Sequence, residues 1–443
     1  MPFSSHHCLG GWDAVPPTRS ADLGSVDVPT SRLTRNQHER GCAFYNCCFS
    51  GAGELLYFAR PGEFESASRS FPSGIDVYSR GGFGRAVPAR DRLLAIRRSA
   101  VPAEAGWLTA ETVVSLTLFA PSTFGHFLGN GLFPAFHAAW RFGGAALATR
   151  RDSLQLLLGG RAFGNASQLR AGRCAGSQGE RGCHGAGGSG ADPALVAKFV
   201  RGLAPGLTSR RVLWEEELPR LARAERGGLL CVRRLLVGGG GLSFSTALGT
   251  PPRRPPLPLW GDFIEHLSRG VLGGEQAEPP AAVLLLKRGR RAPTARAAAE
   301  LDAALRSALP PAARVRRLDP AAMSVRDQLR AVAASPIGLT PDGGISLLCA
   351  FMPAGAALLV LGSLERWLWS NDRRVRAFYC SPEEGAPRVP CEGGSRAGSV
   401  TADCYEAAAV RQCVRGVMLP RAIAHAAATW PLEREEFWKR VGT

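Results

Sequence analysis

At 443 residues, with 45% apolar and 21% charged content, the chain has a globular composition, and the disordered and collagen-like classes are excluded. It is too long for one ordinary domain, so two domains plus a tail are expected. The net charge of +17 suggests nucleic acid, but Lys198, Lys287 and Lys439 are its only lysines and its arginines are scattered. The charge therefore reads as background plus a phosphate site rather than a duplex-binding face.

The chain begins MPFSSHHCLGGWDAV, without a charged stub followed by an apolar core, so no signal peptide or membrane tether is visible in it. Residues 1–40 are turn-rich and read as an irregular lead-in. Cys42 to Phe49 and Glu54 to Phe58 are aromatic-rich runs split by Gly51 and Gly53, which predicts a β-hairpin. Glu111 to Phe119 reads as a strand ended by Pro121. Thr123 to Arg141 then reads as a helix, with Phe127, Phe133, Phe136 and Trp140 near helical spacing. Short strands are expected at 154–158 and 229–237, the second stopped by Gly238–Gly241, with a Gly/Ser/Cys-rich loop over 170–190. The run Thr250-Pro-Pro-Arg-Arg-Pro-Pro-Leu-Pro suits neither helix nor central strand, because proline fixes φ and lacks a donor. It marks a domain boundary.

Past this linker the pattern becomes regular. Helices are expected at 260–272, 295–308 and 324–334, and strands at 282–286, 313–318, 336–339 and 356–361. Such alternation predicts a parallel sheet with helices on its faces. Gly343 to Leu364 carries no charged side chain, yet Pro353-Ala-Gly355 divides it, so it reads as a buried helix, a turn and a buried strand rather than a membrane span. The resulting division is a lead-in (1–40), a first domain (41–240), a linker (241–258), a second domain (259–380), and a loop with a helical tail (381–443).

The even count of 12 cysteines admits local pairs, Cys174 with Cys183, Cys380 with Cys391 and Cys404 with Cys413, and suggests an oxidising compartment, with buried free thiols as the alternative. These gaps do not match zinc-ligand spacing, and Cys174, Cys183 and His184 are the best of a weak set for metal. There is no Asp-x-Asp to hold a metal on a nucleotide, no P-loop and no GxSxG.

Ligands of open α/β sheets bind beyond the carboxyl ends of the strands. Three strand ends draw attention. Lys287-Arg288-Gly289-Arg290-Arg291 follows one, and guanidinium groups grip phosphate oxygens bidentately; a solvated basic loop is the alternative. Asp342-Gly343-Gly344-Ile345-Ser346 follows another, at a helix start whose backbone donors suit an anion, with Asp342 as a cap. Thr123-Phe-Gly-His126-Phe-Leu-Gly-Asn130 follows the third, where His126 is able to take a proton near neutral pH or to serve as a structural residue.

Several segments, in order from about residue 40 to 380, resemble glycosyltransferase family 61, which includes extracellular O-linked N-acetylglucosamine transferase and plant xylosyltransferases. Cys42-Ala-Phe-Tyr-Asn-Cys47-Cys48-Phe with its partner run resembles the family's cysteine-and-aromatic hairpin, and Phe124-Gly-His126-Phe-Leu-Gly-Asn130 to Pro134 resembles its Gly-His-Phe segment. Cys231 to Gly238, Leu284 to Arg291, Met323 to Leu329, and Ile337 to Gly355 resemble further segments in the family's order. The resemblance implies an α/β, GT-B-like fold, two Rossmann-like domains facing across a cleft. It implies transfer, with inversion, of a sugar from a nucleotide sugar, with UDP the expected carrier, to a protein or glycan hydroxyl. No cofactor, metal or nucleic acid is implied, and the expected location is the Golgi or endoplasmic reticulum lumen. Donor contacts fall to Arg288, Arg290, Arg291, Asp342, Gly343, Gly344 and Ser346. Asp342 stands where the family has His, and Asn130 where it has an acid. An amide accepts no proton at neutral pH, so at a catalytic site expected at His126 and Asn130 it is His126 that becomes the candidate base or acceptor orienter, and a binding protein that kept the fold without turnover is the alternative.

Overall fold

The computed structural model describes residues 2–9, 41–62, 94–97, 99–117, 122–159, 193–237, 259–274, 282–285, 294–309, 314–341, 343–361, 369, 372, 374–379 and 412–429. The chain is mixed α/β and divides into two compact units, Met1–Thr250 and Pro251–Thr443.

Among the described residues the first unit is built on nine strands: β1 (Ser5–Leu9), β2 (Gly41–Ser50), β3 (Leu55–Phe58), β4 (Leu94–Arg97), β5 (Gly106–Trp107), β6 (Thr112–Thr117), β7 (Leu154–Gly159), β8 (Leu213–Trp214) and β9 (Leu229–Val237). Their order is β4-β3-β2-β9-β6-β7-β8, with β1 on β2 and β5 on β9. The sheet is mixed. Strands β9, β6, β7 and β8 run parallel, whereas β2 pairs antiparallel with β9, β3 and β1. A uniformly parallel first half is therefore not what this sequence builds, because the tight β2–β3 hairpin forces an antiparallel flank.

Residues 1–40 were expected to be irregular, but β1 pairs along β2 from Ser5 opposite Tyr45 to Leu9 opposite Gly41. The run SHHCL has no apolar alternation to announce a strand, and its ladder comes from β2. Buried Ser4 anchors it: the Ser4 hydroxyl donates to Asn46 O (2.7 Å) and accepts from Phe58 N (2.9 Å). Asn46 sits at φ 54, a region Asn tolerates better than most residues. On either side of it the buried face of β2 shifts from Cys42 and Phe44 to Cys47 and Phe49, and β9 shifts in step from Val237 and Leu235 to Val232 and Leu230. One core thus survives a break in the two-residue period of both strands.

After β6 come helix α1 (Phe124–His126), a π-helical turn (Phe127–Leu132) and α2 (Phe133–Thr149), which run on from one another without a gap. Phe133 N donates to Leu128 O, the i→i−5 bond of a wide turn. Pro134 brings no N–H to continue an α pattern, and Gly125, Gly129 and Gly131 hold the backbone weakly, which accounts for the widening. Helix α3 (Pro193–Leu203) precedes β8, and α4 (Leu218–Ala224) precedes β9. Leu218 and Ala222 of α4 seal the face holding Phe44, Phe49, Val113, Leu157 and Leu230.

Among the described residues the second unit has one parallel sheet of five strands: β10 (Ala282–Leu285), β11 (Val315–Leu318), β12 (Ile337–Pro341), β13 (Ala356–Leu361) and β14 (Val375–Tyr379), in the order β11-β10-β12-β13-β14. Its helices are α5 (Trp260–Leu272), α6 (Ala295–Ala308), α7 (Val325–Ala333) and α8 (Leu419–Thr429). Side-chain caps start two of them: the Thr294 hydroxyl accepts from Ala297 N and that of Ser324 from Asp327 N. Leu301 and Leu305 of α6 pack with Ile337, Leu339 and Leu359, and Met418, Leu419, Ala422 and Ala426 join the same core. The C-terminal helix, set apart as a tail in the sequence reading, is thus part of this unit's interior. The stretch from Gly343 to Leu364 contains a 3-10 helix (Ser346–Phe351), a turn, and β13. Among the described residues, no helix is long and apolar enough to cross a membrane.

Candidate functional site

In the second unit, β10 leads outward to β11, and the chain then returns to place β12 on the other side of β10. The order reverses between β10 and β12, and such a reversal splays the flanking connections apart and opens a crevice at the carboxyl ends. The two strands that border the reversal are the two whose ends carry the sequence candidates. β10 ends at Leu285, followed in sequence by Leu286 to Arg291; β12 ends at Pro341, followed by Asp342 to Ser346. Arg288, Arg290, Arg291 and Asp342 themselves lie outside the described residues.

The described part of the second segment is tightly defined. Gly343 is buried at φ 94, where a side chain would be strained, and Gly344 is half-buried. Ser346 N donates to Gly343 O at 2.8 Å. Ser346 is fully buried and its hydroxyl has no hydrogen-bond partner among the described residues. A buried hydroxyl left unpaired costs about 1–3 kcal/mol, so such groups call for a reason. The helix expected to begin at Gly343 is instead six residues of 3-10 helix beginning at Ser346. Two turns carry only a small dipole, so attraction for an anion would rest on individual backbone N–H donors rather than on a helix field.

The first unit has its own reversal. β6, β7 and β8 step outward in one direction, and β9 returns to the other side of β6. The chain leaves β6 at Thr117 and reaches α1 and half-buried His126, which closes α1 just before the π turn. Asn130 lies within that turn, and its side chain is outside the described residues. Wide turns of this kind often occur at functional positions. β9 ends at Val237, followed in sequence by Gly238–Gly241.

The acidic run Glu215–Glu217, at the carboxyl end of β8, carries no motif that marks it in the sequence. Glu217 is committed locally: it accepts from Trp214 N (3.0 Å) and from Arg211 (2.9 Å). Glu215 stands against Gly159 at the end of β7, where an added Cβ would fall 3.0 Å from its carboxylate. A glycine closing one parallel strand beside an acid closing the next was the available signal, but it depends on knowing that β7 and β8 are neighbours.

Cysteine chemistry is structural here. Cys48 and Cys231, directly opposite on β2 and β9, form a disulfide across 183 residues of chain, and Cys42, in the first unit, and Cys413, in the second, each belong to a further disulfide. The Cys48–Cys231 pair is none of the local pairs expected from spacing, since the β2–β9 ladder brings together cysteines far apart in sequence. Cys47 and Cys349 are free and buried. Burial pushes the Cys47 thiol up to about 12, against a smaller opposing effect of its hydrogen bond with Ser4, and also raises that of Cys349. Neither forms a thiolate at neutral pH, so neither serves as a nucleophile. Cys174, Cys183 and His184 lie outside the described residues, among which no group of three or more His, Cys, Asp or Glu is placed to hold a metal. No protein-family model matches the chain, and no curated protein matches it.

Proposed function

We propose that the chain is a glycosyltransferase of the family 61 type, with GT-B organisation, binding its nucleotide-sugar donor in the second unit and its acceptor, a protein or glycan hydroxyl, in the first. The observation that carries this reading is the strand order of the second unit. Its reversal falls between β10 and β12, whose carboxyl ends run directly into the arginine-rich segment and the Gly-Gly-Ile-Ser segment. Arg288, Arg290 and Arg291 would grip the diphosphate, and the backbone around Gly343 and Gly344 would approach it closely. Asp342, which would repel a diphosphate, is assigned to a sugar hydroxyl or to its own backbone.

In the reaction, the acceptor oxygen attacks the anomeric carbon as the bond to the diphosphate breaks, its electron pair leaving with the diphosphate. The acceptor proton passes to a base, for which His126 is the candidate, with Asn130 orienting the acceptor. Charge on the leaving diphosphate is stabilised by the guanidinium groups rather than by a metal. Disulfide formation in the first unit supports a lumenal compartment, the endoplasmic reticulum or Golgi.

The test is a panel of radiolabelled sugar nucleotides, assayed for binding and for transfer. One donor should be bound and consumed. Arg288→Ala, Arg290→Ala or Arg291→Ala should weaken its binding by about 1.5–3 kcal/mol where the contact is direct. Binding without turnover would identify a non-catalytic relative, and binding of no sugar nucleotide would sink the proposal.

A further inference from the structure

The acid that follows β8 is held by its neighbours. Glu217 accepts from Trp214 N and from Arg211, which closes the 3-10 turn Glu215–Glu217 back onto the end of β8. Trp214 is extended, so Glu215 faces the same side of the sheet as Leu213, two residues before it. The register fixes what else lies on that side. Leu213 is opposite Leu157 of β7, Leu157 is opposite Ser115 of β6, and Gly159, which ends β7, is opposite Thr117. Glu215, Gly159 and Ser115 therefore share one face of the first unit. They lie at or next to the carboxyl ends of adjacent parallel strands, where open α/β sheets take their ligands.

Gly159 makes room for the carboxylate. A Cβ added there would fall 3.0 Å from Glu215 Oε1 and 3.1 Å from both Cδ and Oε2. Three nearly equal distances mean that the glycine meets the flat side of the carboxylate. Carboxylate oxygens accept hydrogen bonds mainly in their own plane, and Gly159 lies out of that plane. Glu215 thus reaches from β8 across the end of β7, toward β6. Ser115 is the next polar side chain on this face of β6 below Thr117. It is 1% exposed, and its hydroxyl has no hydrogen-bond partner among the described residues. A buried hydroxyl left unanswered is costly, which calls for a bound partner.

We infer that Glu215 is an acceptor-binding residue, and that the acceptor is a glycan rather than a serine or threonine side chain. This rests on the first unit being the acceptor side of a glycosyltransferase. The attacking hydroxyl gives its proton to the base, so a serine or threonine acceptor, with its single hydroxyl, has none left for Glu215. A sugar ring brings neighbouring hydroxyls. Two on adjacent carbons donate to the two oxygens of one carboxylate in short, charge-assisted bonds, and Ser115 is the next polar group the ring meets. Glu215 holds the ring and takes no proton.

The experiment prints neutral oligosaccharides beside serine- and threonine-containing peptides on one array and applies the full chain, with and without UDP. Titration calorimetry then follows the best-retained oligosaccharide. Oligosaccharides should be retained and peptides not. Glu215→Gln should weaken that oligosaccharide by about 10- to 100-fold, the range of a hydrogen bond to a charged group. Gly159→Ala keeps the acid but puts a Cβ where its carboxylate lies, and should weaken binding as well. It displaces only the end of a flexible side chain, so thermal melting should find it folded. Ser115→Ala should lose affinity with no loss of stability. Sugar-nucleotide affinity, measured on the same preparations, should be unchanged in all three variants. Retention of no oligosaccharide, retention of peptides alone, or full affinity in both Glu215→Gln and Gly159→Ala would each overturn the inference. If the parent chain binds no sugar nucleotide, the glycosyltransferase reading falls, whereas oligosaccharide retention that depends on Glu215 would still support the site.

Discussion

Replacing Cys48 and Cys231 together by alanine should cost the first unit about 5 kcal/mol. The bridge closes 183 residues of chain, and the loop-entropy relation gives about 5 kcal/mol at 25 °C for a loop of that size. Most of this arises in the denatured ensemble, which the bridge keeps from expanding; loss of two buried sulfurs adds a smaller packing term. For a unit of this size a loss of 5 kcal/mol corresponds to a fall in Tm of roughly 10–20 °C. The assay is urea and thermal denaturation of the parent and the double variant, followed by far-UV circular dichroism and by tryptophan fluorescence. The probe is well placed, because Trp107 of β5 lies beside Cys231 in the sheet register. The urea m value should rise in the variant, since a chain without the crosslink exposes more surface on unfolding. A loss below about 1 kcal/mol with unchanged m would refute the reasoning, showing that the denatured chain is already held compact without the bridge.

Ser346→Ala removes a buried hydroxyl that has no partner among the described residues, and should stabilise the ligand-free protein by about 1 kcal/mol in urea denaturation while lowering affinity for the nucleotide donor if the hydroxyl serves that ligand. Gly355→Ala should destabilise the second unit by at least about 2 kcal/mol, because Gly355 is at φ 86 and an added Cβ would fall 2.7 Å from the carbonyl oxygen of Thr429; thermal melting of the variant checks this. Burial alone would raise the carboxyl pKa of Asp302, but hydrogen bonds from Arg317 and Arg306 outweigh it and hold the group below its ordinary 3.8. With the native pKa depressed, this stabilisation is fully present above pH 3.8 and fades as the pH falls through the native value. Comparing urea midpoints between pH 2.5 and 6 should therefore show a shallower acid loss for Asp302→Asn than for the parent.

The elements best read from sequence are those whose signal is local. Helix α6 begins after Thr294 and ends at Ala308, and β9 and β13 run over Leu229–Val237 and Ala356–Leu361, where an alanine-rich helical run, an apolar run interrupted by Arg233 and Arg234, and a continuous apolar run placed them. β5 and β8 have two residues each and leave no period to detect. β14 alternates buried Val375, Ala377 and Tyr379 with Arg376 and Phe378, but follows a charged stretch that hid it. The candidate site divides the same way. The strand ends could be found because the strands could, and with them the Gly-Gly and arginine-rich segments. That β10 and β12 are the strands flanking the reversal could not, since neighbour order is decided by which apolar faces pack together in three dimensions. The Cys48–Cys231 pairing and the seat of Glu215 against Gly159 were out of reach for the same reason.

The place of α8 in the second unit also bears on how the chain is made. Among the described residues the sheet is covalently complete once Tyr379 has been synthesised and α6 already packs on Ile337, Leu339 and Leu359, yet α8, which joins the same core, ends 50 residues later, at Thr429. At ribosomal rates of about 5–20 residues per second, the delay is on the order of several seconds. For that time the part of this core that Met418, Leu419, Ala422 and Ala426 fill stays without its cover beside the emerging polypeptide. A holdase that recognises such faces would find its target then, and would be displaced when the last helix docks.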